Sequence, residues 1–233
     1  MATAILDPHS VPPTKSTTPA VACATTVWCT YNARSWRVGC AVAAYNAVRM
    51  DLTAQLDVGD LRLRTLLLGD AALLVEATRH EQARALWGPR PAGPYSLEDA
   101  RTALQQWDPA QGEQVSYGVL RADRLVAALG LMLDGPQSAE LAYWVRPEQR
   151  RRGIGVRSVV ALTAWAHRSG LARLWLEIDP GNTASLELAR RAGYQLEQRL
   201  PRHCRAWLEE DPDRDQWHDC LIFAHTLAAP RES

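Results

Sequence analysis

The stretch of this chain best suited to chemistry is Val145-Arg-Pro-Glu-Gln-Arg-Arg-Arg-Gly-Ile-Gly-Val156. A strand pattern ends at Val145, a basic turn with two glycines follows, and a helical pattern begins. The first N–H groups of a helix have no intrahelical partner, and the positive end of the helix dipole lies among them, so such a start can hold an anion. Gly153 and Gly155 would let the backbone come close to a pyrophosphate, with the N–H groups of Ile154 and Val156 beside them, and Arg150, Arg151 and Arg152 add positive charge. A solvated basic turn with a conformational glycine accounts for the same residues without a ligand. The dinucleotide reading is weak. Its fingerprint needs a third glycine where Ser158 stands, and an acid at the tip of the next strand, whereas Glu177 falls within a strand.

Other chemistries find little support. Lys15 is the only lysine, beside 25 arginines, and it lies in an unpatterned stretch. A phosphate loop of the Walker type and a lysine Schiff base therefore lack a suitable residue. Phe223 is likewise the only phenylalanine. Both residues have AT-rich codons, so their scarcity reflects a GC-rich coding sequence. His203-Cys204 and His218-x-Cys220 could bring four nitrogen and sulfur ligands together, but the spacing matches no common zinc pattern. A structural role and no metal are expected there. Five cysteines without a C-x-x-C pair read as reduced thiols in a cytoplasm.

The elements that must position the turn begin near Asp60. Residues 1–49 hold four basic residues and one acid, are rich in Thr, Ala, Pro and Val, and show no sustained period. They are expected to be a disordered or mis-called extension, with Met50 as the natural start; a native peptide from within them would refute the mis-called start. Residues 50–233 are expected to form one domain with its core at about 60–227. Leu61–Thr65 alternates like a strand, and Gly69–Trp87 reads as one or two helices. Ser96 caps a helix ending near Trp107. Gln114–Arg121 and Leu125–Leu133 form a hairpin about Ala122-Asp123. Ala139–Val145 is a strand stopped by Pro147, and Gly153–Ser169 a helix with Val156, Val159, Val160 and Thr163 on one face. Arg173–Ile178, Thr183–Ala192, Tyr194–Leu200 and Trp217–Leu227 then read as strand, helix, strand, strand. This order predicts an α/β fold, a mixed sheet with helices packed on it. With 47% hydrophobic residues, the chain can bury a sizeable core. Zero net charge argues against a general nucleic-acid partner, and no apolar run is long enough to span a membrane.

Two motifs in order give the sequence a family resemblance. Arg150-x-x-Gly153-x-Gly155 after a strand resembles the acetyl-CoA motif of the GNAT N-acetyltransferases. Asn182-Thr-Ala-Ser185-Leu-Glu-Leu-Ala-Arg-Arg-Ala-Gly193-Tyr194 is similar to a segment of the branch containing the ribosomal-protein alanine and serine N-acetyltransferases. Ala139–Val145 and Trp217–Phe223 extend the likeness over about residues 60–227. The resemblance implies a mostly antiparallel sheet with helices on both faces and a splayed parallel strand pair holding pantetheine. It implies acetyl-CoA as co-substrate, with its pyrophosphate on the turn and its thioester carbonyl facing the Val145 N–H. Asn182 would hydrogen-bond the CoA arm, and Ser185 would be the proton donor near sulfur, because Ala189 stands where some relatives carry a tyrosine acid. Tyr194 is a reserve.

A base must take the ammonium proton before the amine can attack. Glu140 and Glu177, one on each splayed strand, are the candidates, and Leu174-Trp-Leu-Glu177 resembles a segment in which relatives use the glutamate. Strand glutamates are as often plain exposed partners. The loop Glu209–Asp215, with five acids and one arginine, either steers a cationic acceptor or is a solvated hairpin loop. The expectation is direct acetyl transfer to a primary amine: a protein N-terminus, or a small amine such as an antibiotic. A non-catalytic acyl-CoA-binding module is the rival. Exposed strand edges after Leu200 leave monomer and homodimer open.

Overall fold

The computed structural model describes residues 51–80, 94–110, 114–206 and 216–227. The expectation for residues 1–49 lies outside them. The described chain forms β1 (Gln55–Val58), β2 (Leu61–Thr65), α1 (Ala71–Thr78), α2 (Leu97–Gln106), β3 (Gln114–Arg121), β4 (Arg124–Gly135), β5 (Ser138–Val145), α3 (Ile154–Arg168), β6 (Arg173–Ile178), α4 (Thr183–Arg191), β7 (Gln195–Ala206) and β8 (Gln216–Thr226). One eight-stranded sheet runs in the order β1-β2-β3-β4-β5-β6-β8-β7, antiparallel except where β5 meets β6.

Strand alternation divides the core between two faces. On one face Val115, Tyr117, Leu129, Leu131, Ala139, Leu141, Leu174 and Leu176 pack against Ile154, Val159, Leu162 and Ala166 of α3 and Leu188 and Ala189 of α4. On the other, Ala128 and Trp144 meet Leu74 and Ala77 of α1 and Ala100 and Leu104 of α2. Ser96 and Asp99 cap α2 reciprocally, through Asp99 N–H to Ser96 Oγ at 3.1 Å and Ser96 N–H to Asp99 Oδ2 at 3.0 Å. The β3–β4 turn holds Ala122 and Asp123 at φ 46° and 62°, the left-handed pair that matches the twist of a two-residue hairpin. Arg64 fastens α1 to β2 through Asp70, at 2.6 and 2.7 Å.

Two sequence expectations are corrected here, and a third is met in part. Patterned structure starts at Gln55, because β1 pairs with β2 across a turn at Gly59, where φ is +66°. Val160 is 44% exposed; the buried face of α3 runs through Ile154, Ser158, Val159, Leu162, Thr163 and Ala166. The run from Gly69 resolves into a short turn at Leu68–Asp70 followed by α1, and its continuation from residue 81 lies outside the described residues.

Candidate active site

The site begins where two strands part. β5 and β6 are paired at Ser138–Arg173, Ala139–Leu174 and Glu140–Trp175. Beyond that rung β5 stays with β4 as far as Val145, and β6 stays with β8 as far as Ile178. The facing backbone of Leu141–Val145 and Leu176–Ile178 is therefore left along an open gap. Successive N–H groups of a strand point to opposite sides. Arg146 donates its N–H to Val126 O on β4 at 3.0 Å, so the N–H of Val145 points the other way, into the gap.

At the wide end of the gap lies the glycine turn. Gly153 is the N-cap of α3, at φ +73°, and no side chain caps the helix there. A Cβ on Gly153 would meet nothing within 4 Å, so glycine stands there for its backbone angle and the turn opens to solvent. Arg151, at φ +60°, also takes the left-handed conformation. Arg151 and Arg152 are exposed, and Arg150 donates through Nε to Val145 O at 2.9 Å, tying the turn to the end of β5. Ile154 and Val156 turn their side chains into or against the core, leaving only backbone to meet a ligand.

Gly155 has a different reason from the one its spacing suggests. A Cβ there would stand 2.8 Å from Leu188 Cδ1 and 3.4 Å from Val145 Cγ2. The missing side chain lets α3 pack against α4 and β5, and it leaves room for the Tyr143 ring, whose Cε2 lies 4.0 Å from that point.

Asn182 and Ser185 come together at the start of α4. Asn182 is the N-cap, its Oδ1 accepting the Ser185 N–H at 3.1 Å. That leaves the amide NH2 of the exposed Asn182 side chain to face outward. Ser185 Oγ accepts a hydrogen bond of 2.7 Å from the Tyr143 hydroxyl. Sequence reasoning missed Tyr143, which had read as an ordinary strand residue. Tyr194, the reserve acid, is buried and hydroxyl-bonded to Thr163 at 2.7 Å.

The carboxylates occupy the opposite face. Glu140 alternates with the core-facing Ala139 and Leu141, and Glu177 with Leu176 and Ile178, so both share the face of α1 and α2. Burial, with the charges of Glu177 and Asp134 behind it, pushes the Glu140 carboxyl up to about 8. Only 4% of the Glu177 side chain is exposed, and His203 Nε2 lies 3.7 Å from its Oε1. Burial likewise raises the Tyr143 phenol, against a lowering by its bond to Ser185.

His203 and His218 each face a carboxylate, His218 Nδ1 standing 3.6 Å from Asp179 Oδ2. Cys220 is disulfide-bonded, which corrects the expectation of reduced thiols. Among the described residues no three His, Cys, Asp or Glu side chains form a group that could hold a metal ion, and no helix is long and apolar enough to cross a membrane. The acidic loop at 209–215 lies outside the described residues.

Solved structures share this fold. RimL, a ribosomal alpha-N-protein acetyltransferase solved in complex with coenzyme A, superposes with a TM-score of 0.65 at 22% identity, over 75% of this chain and 98% of its own. MccE, the microcin C7 self-immunity acetyltransferase solved with acetyl-CoA and AMP, gives 0.64 at 17% identity, over 77% and 99%. An L-methionine sulfoximine/L-methionine sulfone acetyltransferase of Pseudomonas aeruginosa is 36% identical over 64 residues, which span 28% of this chain and only 37% of that protein. Residues 60–195, more than half of the chain, match the GNAT acetyltransferase domain, and with its parted strands and glycine turn this chain belongs to that acetyltransferase family.

Proposed function

We propose that the protein moves the acetyl group of acetyl-CoA directly to an α-amine, either a protein N-terminus or the amino group of a small amino compound. The observation that carries this reading is the gap between β5 and β6. It leads from an uncapped helix start, past an inward-pointing Val145 N–H, to a hydroxyl pair on one face and a carboxylate pair on the other. The N–H groups at the start of α3, with Arg151 and Arg152, bind the pyrophosphate. Strand backbone along the gap pairs with the pantetheine amides, and Asn182 donates to the same arm. Val145 N–H stabilises charge developing on the thioester oxygen.

Glu140 and Glu177 together take the proton of the acceptor ammonium, so the apparent pKa belongs to the pair. Burial raises the Glu140 carboxyl, so it holds a proton better than an ordinary carboxylate does, and a peptide α-ammonium, usually near about 8, gives its proton up more easily than a lysine ammonium near about 10.4. RimL and the methionine sulfoximine acetyltransferase are named for acceptors that offer an α-amine. That common feature supports an α-amine and leaves its carrier, peptide or small molecule, to experiment.

The reading is tested by calorimetry of acetyl-CoA binding, with Arg151→Glu/Arg152→Glu as the control because both side chains are exposed and free of core packing. Binding in the micromolar range, about −8 kcal/mol, is expected for the wild type and a loss of tenfold or more for the control. A folded wild type that does not bind acetyl-CoA refutes the reading. A panel of peptides with free and blocked N-termini, lysine side-chain amines and amino-acid sulfones then identifies the acceptor.

A further inference from the structure

We infer that Tyr143 is a positioning residue for Ser185, aiming its hydroxyl hydrogen at the departing sulfur; this rests on the acetyltransferase reading above. Three observations converge on the pair. Tyr143 stands on β5 two residues before Val145, on the face turned to α3 and α4. Its hydroxyl donates to Ser185 Oγ at 2.7 Å, across 42 residues of sequence. Ser185 is also fixed from the other side, its N–H bonded to Asn182 Oδ1 at 3.1 Å.

A serine hydroxyl has one hydrogen and two acceptor lone pairs. With the Tyr143 hydrogen occupying a lone pair, the serine hydrogen must point away from the ring, and the open side is the gap between β5 and β6. The phenol is held there by packing: the absence of a side chain at Gly155 leaves space for the ring edge. Burial raises the phenol's pKa, so Tyr143 keeps its proton and serves as a donor throughout. Two hydroxyls in series polarise one another, which strengthens the terminal donor.

The step balances without a proton leaving Tyr143. The amine, whose ammonium proton the carboxylates have already taken, forms its bond to the acetyl carbon, and the surplus proton that nitrogen then carries leaves to solvent. The C–S bond breaks with its electron pair passing to sulfur, which departs as a thiolate. Ser185 Oγ–H hydrogen-bonds that thiolate, and solvent protonates it on release.

Tyr143→Phe, Ser185→Ala and the double variant test this, with release of free CoA from acetyl-CoA measured both with an amine panel and with water as acceptor. Acetyl-CoA affinity by calorimetry and Tm are followed in parallel. Tyr143→Phe should lower kcat about tenfold, as the loss of one hydrogen bond to a partly charged acceptor does, with acetyl-CoA affinity changed less than twofold. The double variant should be no slower than Ser185→Ala alone, because the two hydroxyls act as a unit. An unchanged kcat in Tyr143→Phe, additive losses, or a fall in acetyl-CoA affinity that matches the fall in kcat overturns the pairing while leaving the acetyltransferase reading intact. If Tyr143→Phe does not fold, Ser185→Ala decides from the other side: full turnover in that variant overturns the inference. A wild type that neither binds acetyl-CoA nor releases CoA removes the reading and this inference with it.

Discussion

Replacing Glu140 by Gln separates the proton chemistry from binding. Glu140 sits on the last paired rung between β5 and β6, opposite Trp175, and its carboxyl is raised from the usual 4.5 to about 8 by burial and by the charges of Glu177 and Asp134. A base with that pKa must lose its proton before it can act, so kcat/KM should climb about tenfold per pH unit below 8 and level off above it, leaving the wild type at roughly 1% of its plateau at pH 6. Glu140→Gln should lower the plateau by about 10²–10⁴-fold and abolish that limb. Glu177→Gln removes a like charge from Glu140 and should move the limb to lower pH. Two acceptors whose α-amines differ in pKa by about one unit distinguish the enzyme's limb, which stays fixed, from the acceptor's, which does not.

The same substitution has a stability signature of definite sign. The folded state binds this proton more tightly than the unfolded chain does, so the contribution is complete below about 4.5 and is lost as pH rises through about 8. At about 1.4 kcal/mol per pKa unit the ceiling is about 5 kcal/mol, each kcal/mol being worth about 2–4 °C in Tm for a chain of this size. Wild type should therefore lose Tm against Glu140→Gln between pH 5 and 8. A limb near pH 8 that survives in Glu140→Gln, or a Tm difference that does not change with pH, refutes this account of Glu140.

Two further outcomes follow from packing and protonation. Gly155→Ala places a methyl group 2.8 Å from Leu188 Cδ1 and should destabilise the fold by about 1–3 kcal/mol, with Leu188→Ala restoring part of it in the double variant; thermal unfolding of the three reads this, and a neutral Gly155→Ala refutes it. His225 Nδ1 lies 2.9 Å from His167 Nε2, and burial together with His167 holds His225 below its usual pKa. Its contribution is therefore present above about 6.5 and lost as pH falls through the lowered value, so His225→Asn should flatten the acid side of a Tm–pH curve.

The parts of the structure legible in the sequence are those whose signals are local. Ser96 with Asp99, Ala122-Asp123, Pro147 and Gly193 each mark a boundary through their own backbone preference, and the structure places one at each. The glycine turn was legible for the same reason, since Gly153 supplies a positive φ at a helix start. Gly155 shows the limit of such reading: its residue type was visible, but its cause, Leu188 on another helix, was not. The buried face of α3 was misread at Val160 because valine is apolar wherever it points. Tyr143 carried no signal, because its partner Ser185 is brought to it only by the packing of α4 on the sheet. The raised pKa of Glu140 comes first from burial and then from Glu177, which lies across the parallel β5–β6 pairing, and neither is written in the strand's own residues.

Strand parity then divides the reaction between the two sides of the sheet. Tyr143 is an odd-numbered residue of β5, on the face that carries α3 and α4 and, through them, the glycine turn and Ser185. Glu140 is an even-numbered residue of the same strand, on the face that carries α1 and α2. In a closed sheet these faces would be separated by a layer of paired backbone. Here β5 and β6 stop pairing after Glu140 and Trp175, so in the proposed reaction donor and acceptor approach from opposite faces and meet in the gap, beside the Val145 N–H that β4 does not take. On the proposed reading, changes in α1 and α2 alter which amine enters without touching the glycine turn at the start of α3.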